Sequence, residues 1–76
     1  NRKGNELFNK GRIEEARRIF ITTGYSDGLT RVGDVYQKKN EILKALKLYV
    51  LAHNRTKTEP IYEKMAEITS VFLKEK

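Results

Sequence analysis

The chain has 76 residues, 38% hydrophobic and 34% charged, with 16 Lys and Arg against 10 Asp and Glu, one His and no Cys. Without Cys neither a disulfide framework nor a thiolate metal site can form, and one His falls short of the ligand number that zinc requires. A domain this small buries only about 60% of the surface its unfolded chain exposes, which leaves a thin core and argues against a deep catalytic cleft.

Leu7 and Phe8 belong to a short helix that stops at Gly11. Ile13, Ala16, Ile19 and Phe20 then recur at helical spacing as far as Thr22, Thr23 and Gly24. Gly24 suits the left-handed conformation that closes many helices. A third helix is predicted from Ser26 or Asp27, whose side chains can accept hydrogen bonds from the free N–H groups of a first turn. Its stripe is Leu29, Val32, Gly33 and Tyr36, interrupted at Lys38, Lys39 and Asn40. Ile42, Ala45, Leu46, Tyr49, Val50 and Ala52 carry a fourth helix, and Leu43, Leu48 and Leu51 make it apolar on more than one face, so it must pack on two sides. Residues 54–57 read as a polar loop. Thr58, Glu59 and Pro60 read as a helix start: a capping hydroxyl, an acid in the first turn and a proline whose missing N–H does no harm there. Ile61, Tyr62, Met65, Ala66, Ile68, Thr69, Phe72 and Leu73 make the last helix. No alternating β pattern occurs.

The first two helix pairs superpose. Gly4 falls on Gly33, Leu7 on Tyr36, Ile13 on Ile42, Ala16 on Ala45 and Phe20 on Tyr49, always 29 residues apart. Small residues at 4, 33, 16 and 45 allow close helix approach, and Phe20 and Tyr49 fill the space between units.

The order small residue, large apolar residue, tight turn, Ala and aromatic resembles the tetratricopeptide repeat family. It is followed best by Leu29, Val32, Gly33, Tyr36, Asn40, Ala45, Tyr49 and Ala52, and also by Gly4, Leu7, Gly11, Ala16 and Phe20, with Thr23 in place of the last Ala. The last helix extends the match if Tyr62, Met65 and Ala66 are set on Leu29, Val32 and Gly33. The step of 29 is shorter than the family's usual period of about 34. The resemblance implies an all-α fold, a tetratricopeptide-like right-handed solenoid fragment of about five antiparallel helices: repeat one at 1–24, repeat two at 25–54 and a capping helix at 58–75. It further implies a binding scaffold without catalysis, in which the first helix of each pair lines a concave groove for a peptide or helix of another protein. Carried over, that face comprises Asn5, Phe8 and Asn9, then Thr30, Arg31, Asp34, Gln37 and Lys38, then Glu63, Lys64 and Glu67. The clamp by which chaperone-binding members hold a terminal carboxylate is matched only at Asn5 and Lys64; Asn1, Arg31 and Pro60 replace its other residues.

The net charge of +6 raises an alternative, binding of nucleic acid through a basic stripe of Arg17, Arg18, Lys44 and Lys47, read as sitting at equivalent places on the outer helices of both pairs. Register commits Phe20, Tyr36 and Tyr49 to the core, which leaves few aromatics for stacking on bases and disfavours it. Self-association through truncated repeat ends is a third possibility. His53 is expected to act as a cation near the last carbonyls of the fourth helix, and Asn54, Arg55, Thr56 matches a glycosylation triplet. No catalytic residue, cofactor or metal is expected. No apolar run approaches the roughly 18 residues of a membrane span. No signal peptide is visible in the polar start, and a cytoplasmic location is expected by default; with no initial Met the chain is expected to be an excised or processed segment, which leaves a targeting sequence upstream open.

Overall fold

In the computed structural model, which describes residues 1–74, the chain is all-α. Five helices follow one another: α1 (Arg2–Asn9), α2 (Ile13–Thr23), α3 (Ser26–Lys38), α4 (Ile42–Leu51) and α5 (Arg55–Lys74). The last helix was expected to reach 75, and Glu75 lies outside the described residues.

One device makes every turn. Gly11, Gly24, Asn40 and His53 have φ of 81°, 68°, 62° and 55°, the left-handed conformation that redirects a chain leaving a helix. The N–H of the following residue bonds back each time: Arg12 to the Leu7 carbonyl, Tyr25 to Phe20, Glu41 to Tyr36 and Asn54 to Tyr49, at 2.9–3.1 Å. Gly11 and Asn40 are 29 residues apart, as are Gly24 and His53, so the turns repeat in the same register as the side chains. His53 thus serves through its backbone, as the left-handed residue after α4.

The third helix starts where it was expected but with a different cap, and the start of the fifth is corrected. α3 begins at Ser26 with Tyr25 as its N-cap, and neither Ser26 nor Asp27 caps it by side chain. The supposed loop at 54–57 is the first turn of α5. Asn54 is the residue that starts it, because its Oδ1 accepts the Lys57 N–H at 3.2 Å while its Nδ2 donates to Thr30 Oγ1 at 3.1 Å. That engagement also occupies the amide a glycan would need. Thr58 is buried, its hydroxyl donates back to the Arg55 carbonyl at 3.4 Å, and Pro60 lies inside the helix. Pro60 there forgoes one intrahelical bond.

The core repeats as well. A methyl group added at Gly4 would sit 2.5 Å from Phe20 Cε1, and one at Gly33 would sit 2.6 Å from Tyr49 Cε1. Each aromatic ring, fully buried, therefore lies directly on a glycine of the first helix of its own pair. Phe20 is met as well by Gly28 of α3, where an added methyl would lie 2.5 Å from its ring. At the place equivalent to Gly28, α5 carries Lys57, whose ammonium reaches Asp34 at 3.3 Å.

The register of α5 differs from expectation. Its inward residues are Thr58, Ile61 and, partly buried, Met65, which lie 29 residues after Leu29, Val32 and Tyr36. Tyr62, set on Leu29 in the sequence reading, is half-exposed. The turn after α4 brings the chain back with the same spacing as the turn after α2, so the offset of 29 persists where 33 was expected.

Successive helices contact one another, and α1 also touches α3. Short turns make such neighbours antiparallel. The extents of 51 × 21 × 16 Å and radius of gyration of 14.6 Å exceed the roughly 11 Å of a compact chain of this length, consistent with pairs stacked along one axis.

One irregularity separates the two pairs. Tyr49 donates its hydroxyl to Asp34 at 2.6 Å; the counterparts are Phe20, which has no hydroxyl, and Asn5, whose Oδ1 is buried without a partner. Phe20→Tyr is expected to supply that donor and stabilise the chain by about 0.5–1.5 kcal/mol. Urea unfolding checks this: the midpoint should rise with no change in slope.

Candidate functional site

α1 touches α3, and the start of α5 is tied to α3 by the Asn54–Thr30 hydrogen bond and the Lys57–Asp34 ion pair. Their shared face starts at Phe8, whose ring carries the Arg31 guanidinium 5.9 Å from its centroid. Farther along, Asp34, Gln37, Lys38 and Lys57 line a depression of about 420 Å³. Asp34 lies at its centre, accepting from Tyr49 and paired with Lys57. The Gln37 carboxamide lies 2.8 Å from the same Tyr49 hydroxyl. Burial, and then the bond to Asp34, raise the Tyr49 phenol well above its usual value, so it is a hydrogen-bond donor at neutral pH. The depression offers a carboxylate, an amide and two ammonium groups, the complement needed to bond peptide carbonyls and N–H groups and to pair with charged ends.

The structure thus brings Phe8, Arg31, Asp34, Gln37 and Lys38 together along this face. Thr30, on α3, has its hydroxyl taken by Asn54 at the start of α5, and Asn5 is half-buried. Asn9 and Glu63 are exposed. Lys64 and Glu67 line a separate depression with Ile68, Val71 and Phe72, a consequence of the register shift in α5. Lys57 was missed in sequence because residues 54–57 read as a loop; the signal was Asn54, which can cap a helix as well as end a loop.

The opposite side, formed by α2 and α4, holds a second depression of about 340 Å³ lined by Glu14, Arg17, Ile21, Tyr36, Leu43, Lys44, Lys47 and Leu48. Three of the four stripe residues are here, and Arg18 is exposed on α2. They do not repeat as a set: the 29-residue register pairs Arg18 with Lys47 but Arg17 with Leu46 and Lys44 with Glu15. Arg17 is bonded to Glu14 at 3.0 Å, and Lys44 pairs with Glu41 at 3.5 Å. Tyr36 donates to the other oxygen of Glu14. That bond, opposed by burial and aided by Arg17, holds the Glu14 carboxyl below its usual range, and burial followed by the same bond pushes Tyr36 up to about 12. Much of the positive charge on this side is thus spent within the protein. Tyr25 packs on Phe20 with centroids 5.6 Å apart, which removes another ring from base stacking.

Among the described residues no helix is long and apolar enough to cross a membrane. The chain matches no family model and no solved structure. It is similar to an uncharacterized protein of Treponema pallidum (strain Nichols), with 56% identity over 61 residues, 80% of this chain and 59% of that protein. The chain therefore spans little more than half of the relative's length.

Proposed function

We propose that this chain is a tetratricopeptide-like protein-binding module that holds an extended peptide of another protein on the face shared by α1, α3 and α5, without catalysis. The observation that carries the reading is the alignment of Phe8 and Arg31 with the depression of Asp34, Gln37, Lys38 and Lys57 along one side of two helix pairs repeated at 29 residues. Asp34, Gln37 and Lys57 are held by neighbours, which lowers the ordering cost of gripping a peptide. The nucleic-acid reading draws less support, since Arg17 and Lys44 are ion-paired and the rings needed for stacking are packed.

Peptides selected on the chain from a random display library test it. Arg31→Glu with Lys38→Glu is expected to weaken the selected peptides at least tenfold while helix content and thermal midpoint stay unchanged, because both side chains are exposed. Undiminished affinity of that variant would place the binding surface elsewhere.

A further inference from the structure

α2 and α4 hold equivalent places in the two helix pairs, yet their outward sides differ. On α2 the exposed positions include Glu14, Glu15, Arg18, Ile21 and Thr22, an ordinary solvated mixture. In the 29-residue register the same positions of α4 carry Leu43, Lys44, Lys47, Val50 and Leu51, all exposed. With Ile42, every exposed residue of α4 is aliphatic or Lys, and the helix contains no acid. Leu43, Val50 and Leu51 are exposed by 72%, 46% and 47%, so the helix whose sequence calls for packing on two sides is covered by this chain on one. At helical spacing Leu43, Lys47 and Val50 share one line, with Lys44 and Leu51 in the row beside it. Ile21 of α2 joins Leu43, Lys44 and Lys47 in lining the depression of about 340 Å³ between the two helices.

We infer that the outward side of α4, with Ile21 and Arg18 of α2, lies on a membrane surface containing anionic lipid. Leu43, Val50 and Leu51 enter the upper acyl region while Lys44, Lys47 and Arg18 reach the headgroups. Interleaving is the first reason. A protein interface gathers apolar residues at its centre and sends charges to its rim, whereas here Lys47 stands between Leu43 and Val50. A bilayer accepts that order, because a lysine stem lies along the apolar level while its ammonium returns to a phosphate. Area is the second. A few aliphatic side chains fall short of the roughly 800 Å² per partner of a standard protein interface, but binding at a lipid surface grows continuously with buried apolar area and charge. Charge is the third. Glu14 is held by Arg17 and Tyr36, Glu15 by Arg12 and Glu41 by Lys44. Arg18 and Lys47 have no acid at ion-pair distance among the described residues, and the chain's +6 draws it toward an anionic surface. This side is opposite the proposed peptide face and leaves that face free.

Cosedimentation of the chain with phosphatidylcholine vesicles, with and without about 30% phosphatidylserine, tests this. The expected result is binding at least tenfold stronger to the vesicles containing phosphatidylserine, lost on raising the salt from about 0.05 to about 0.5 M. Lys44→Ala with Lys47→Ala should weaken it at least tenfold, at about fivefold per lysine. The same loss of charge on α1, Lys3→Ala with Lys10→Ala, should change it by less than about threefold, with the circular dichroism of both variants unaltered in solution, since all four side chains are exposed. Leu43→Trp should show an emission shifted to the blue and quenched by brominated acyl chains, and Asn9→Trp, exposed on α1, should show neither. Absence of binding to the phosphatidylserine vesicles at low salt would overturn the inference and leave the face to an acidic protein. So would binding that ignores the loss of Lys44 and Lys47, or binding in which Trp at position 43 stays in water.

Discussion

Tyr49→Ala is expected to leave the chain largely unfolded at room temperature. Tyr49 is among the largest fully buried side chains, lies on Gly33, and is tied through its hydroxyl to Asp34. Removing a buried aromatic ring costs about 3–5 kcal/mol, part of it for the cavity left behind. A single core in a chain this short rarely supplies more than about 3–5 kcal/mol, so the loss takes most or all of it. Circular dichroism at 222 nm should show the helical signal collapse. Tyr49→Phe separates the two contributions: it keeps the ring and loses the hydroxyl's contacts with Asp34 and Gln37, of which Asp34 retains Lys57 as a partner, so it should cost about 0.5–1.5 kcal/mol.

Gly28→Leu is expected to be as damaging, from the opposite cause. A Cβ at position 28 would lie 2.5–2.6 Å from Cδ1, Cγ and Cδ2 of Phe20. The contact is with the body of the ring, and the ring is completely buried and also lies against Gly4, so it has little room to swing away. Even Gly28→Ala must push α3 off α2, at about 1–3 kcal/mol for over-packing, and Leu adds three more carbons to the same place. Gly11→Ala is the control. Nothing lies within 4 Å of its added methyl, but φ is 81°, so its cost is that of the left-handed backbone alone, about 1–2 kcal/mol. Urea titrations should rank the three variants with Gly28→Leu the least stable.

What could be read from the residues was whatever depends on local chemistry or on repetition. Gly11 and Gly24 announce their turns because glycine meets no steric penalty at positive φ. The superposition of Phe20 on Tyr49 and Gly4 on Gly33 is visible as spacing, and the packed rings make physical sense of it. His53 was harder, since a side chain with a charge draws attention to its ring when the backbone is what the turn uses. The start of α5 was misplaced because Thr58, Glu59 and Pro60 form a plausible first turn on their own. Only the distant contact of Asn54 with Thr30 distinguishes the cap that is used. That displacement moved Lys64 and Glu67 into the expected groove and kept Lys57 out of it, so the candidate site was legible on α1 and α3 and misread on α5. Ile68 and Phe72, exposed on α5, were misread for the same reason: in sequence they read as core, because periodicity reports an apolar face without saying what covers it.

The central claim is that the face shared by α1, α3 and α5 grips an extended peptide. Mapping amide chemical shifts of the isotopically labelled chain during titration with a library-selected peptide tests it most directly. The account predicts that the largest shifts fall at Phe8, Arg31, Gln37, Lys38 and Lys57. Shifts confined to Arg17, Ile21, Lys44 and Lys47 on the outer helices, with the residues of that face unmoved, would contradict it.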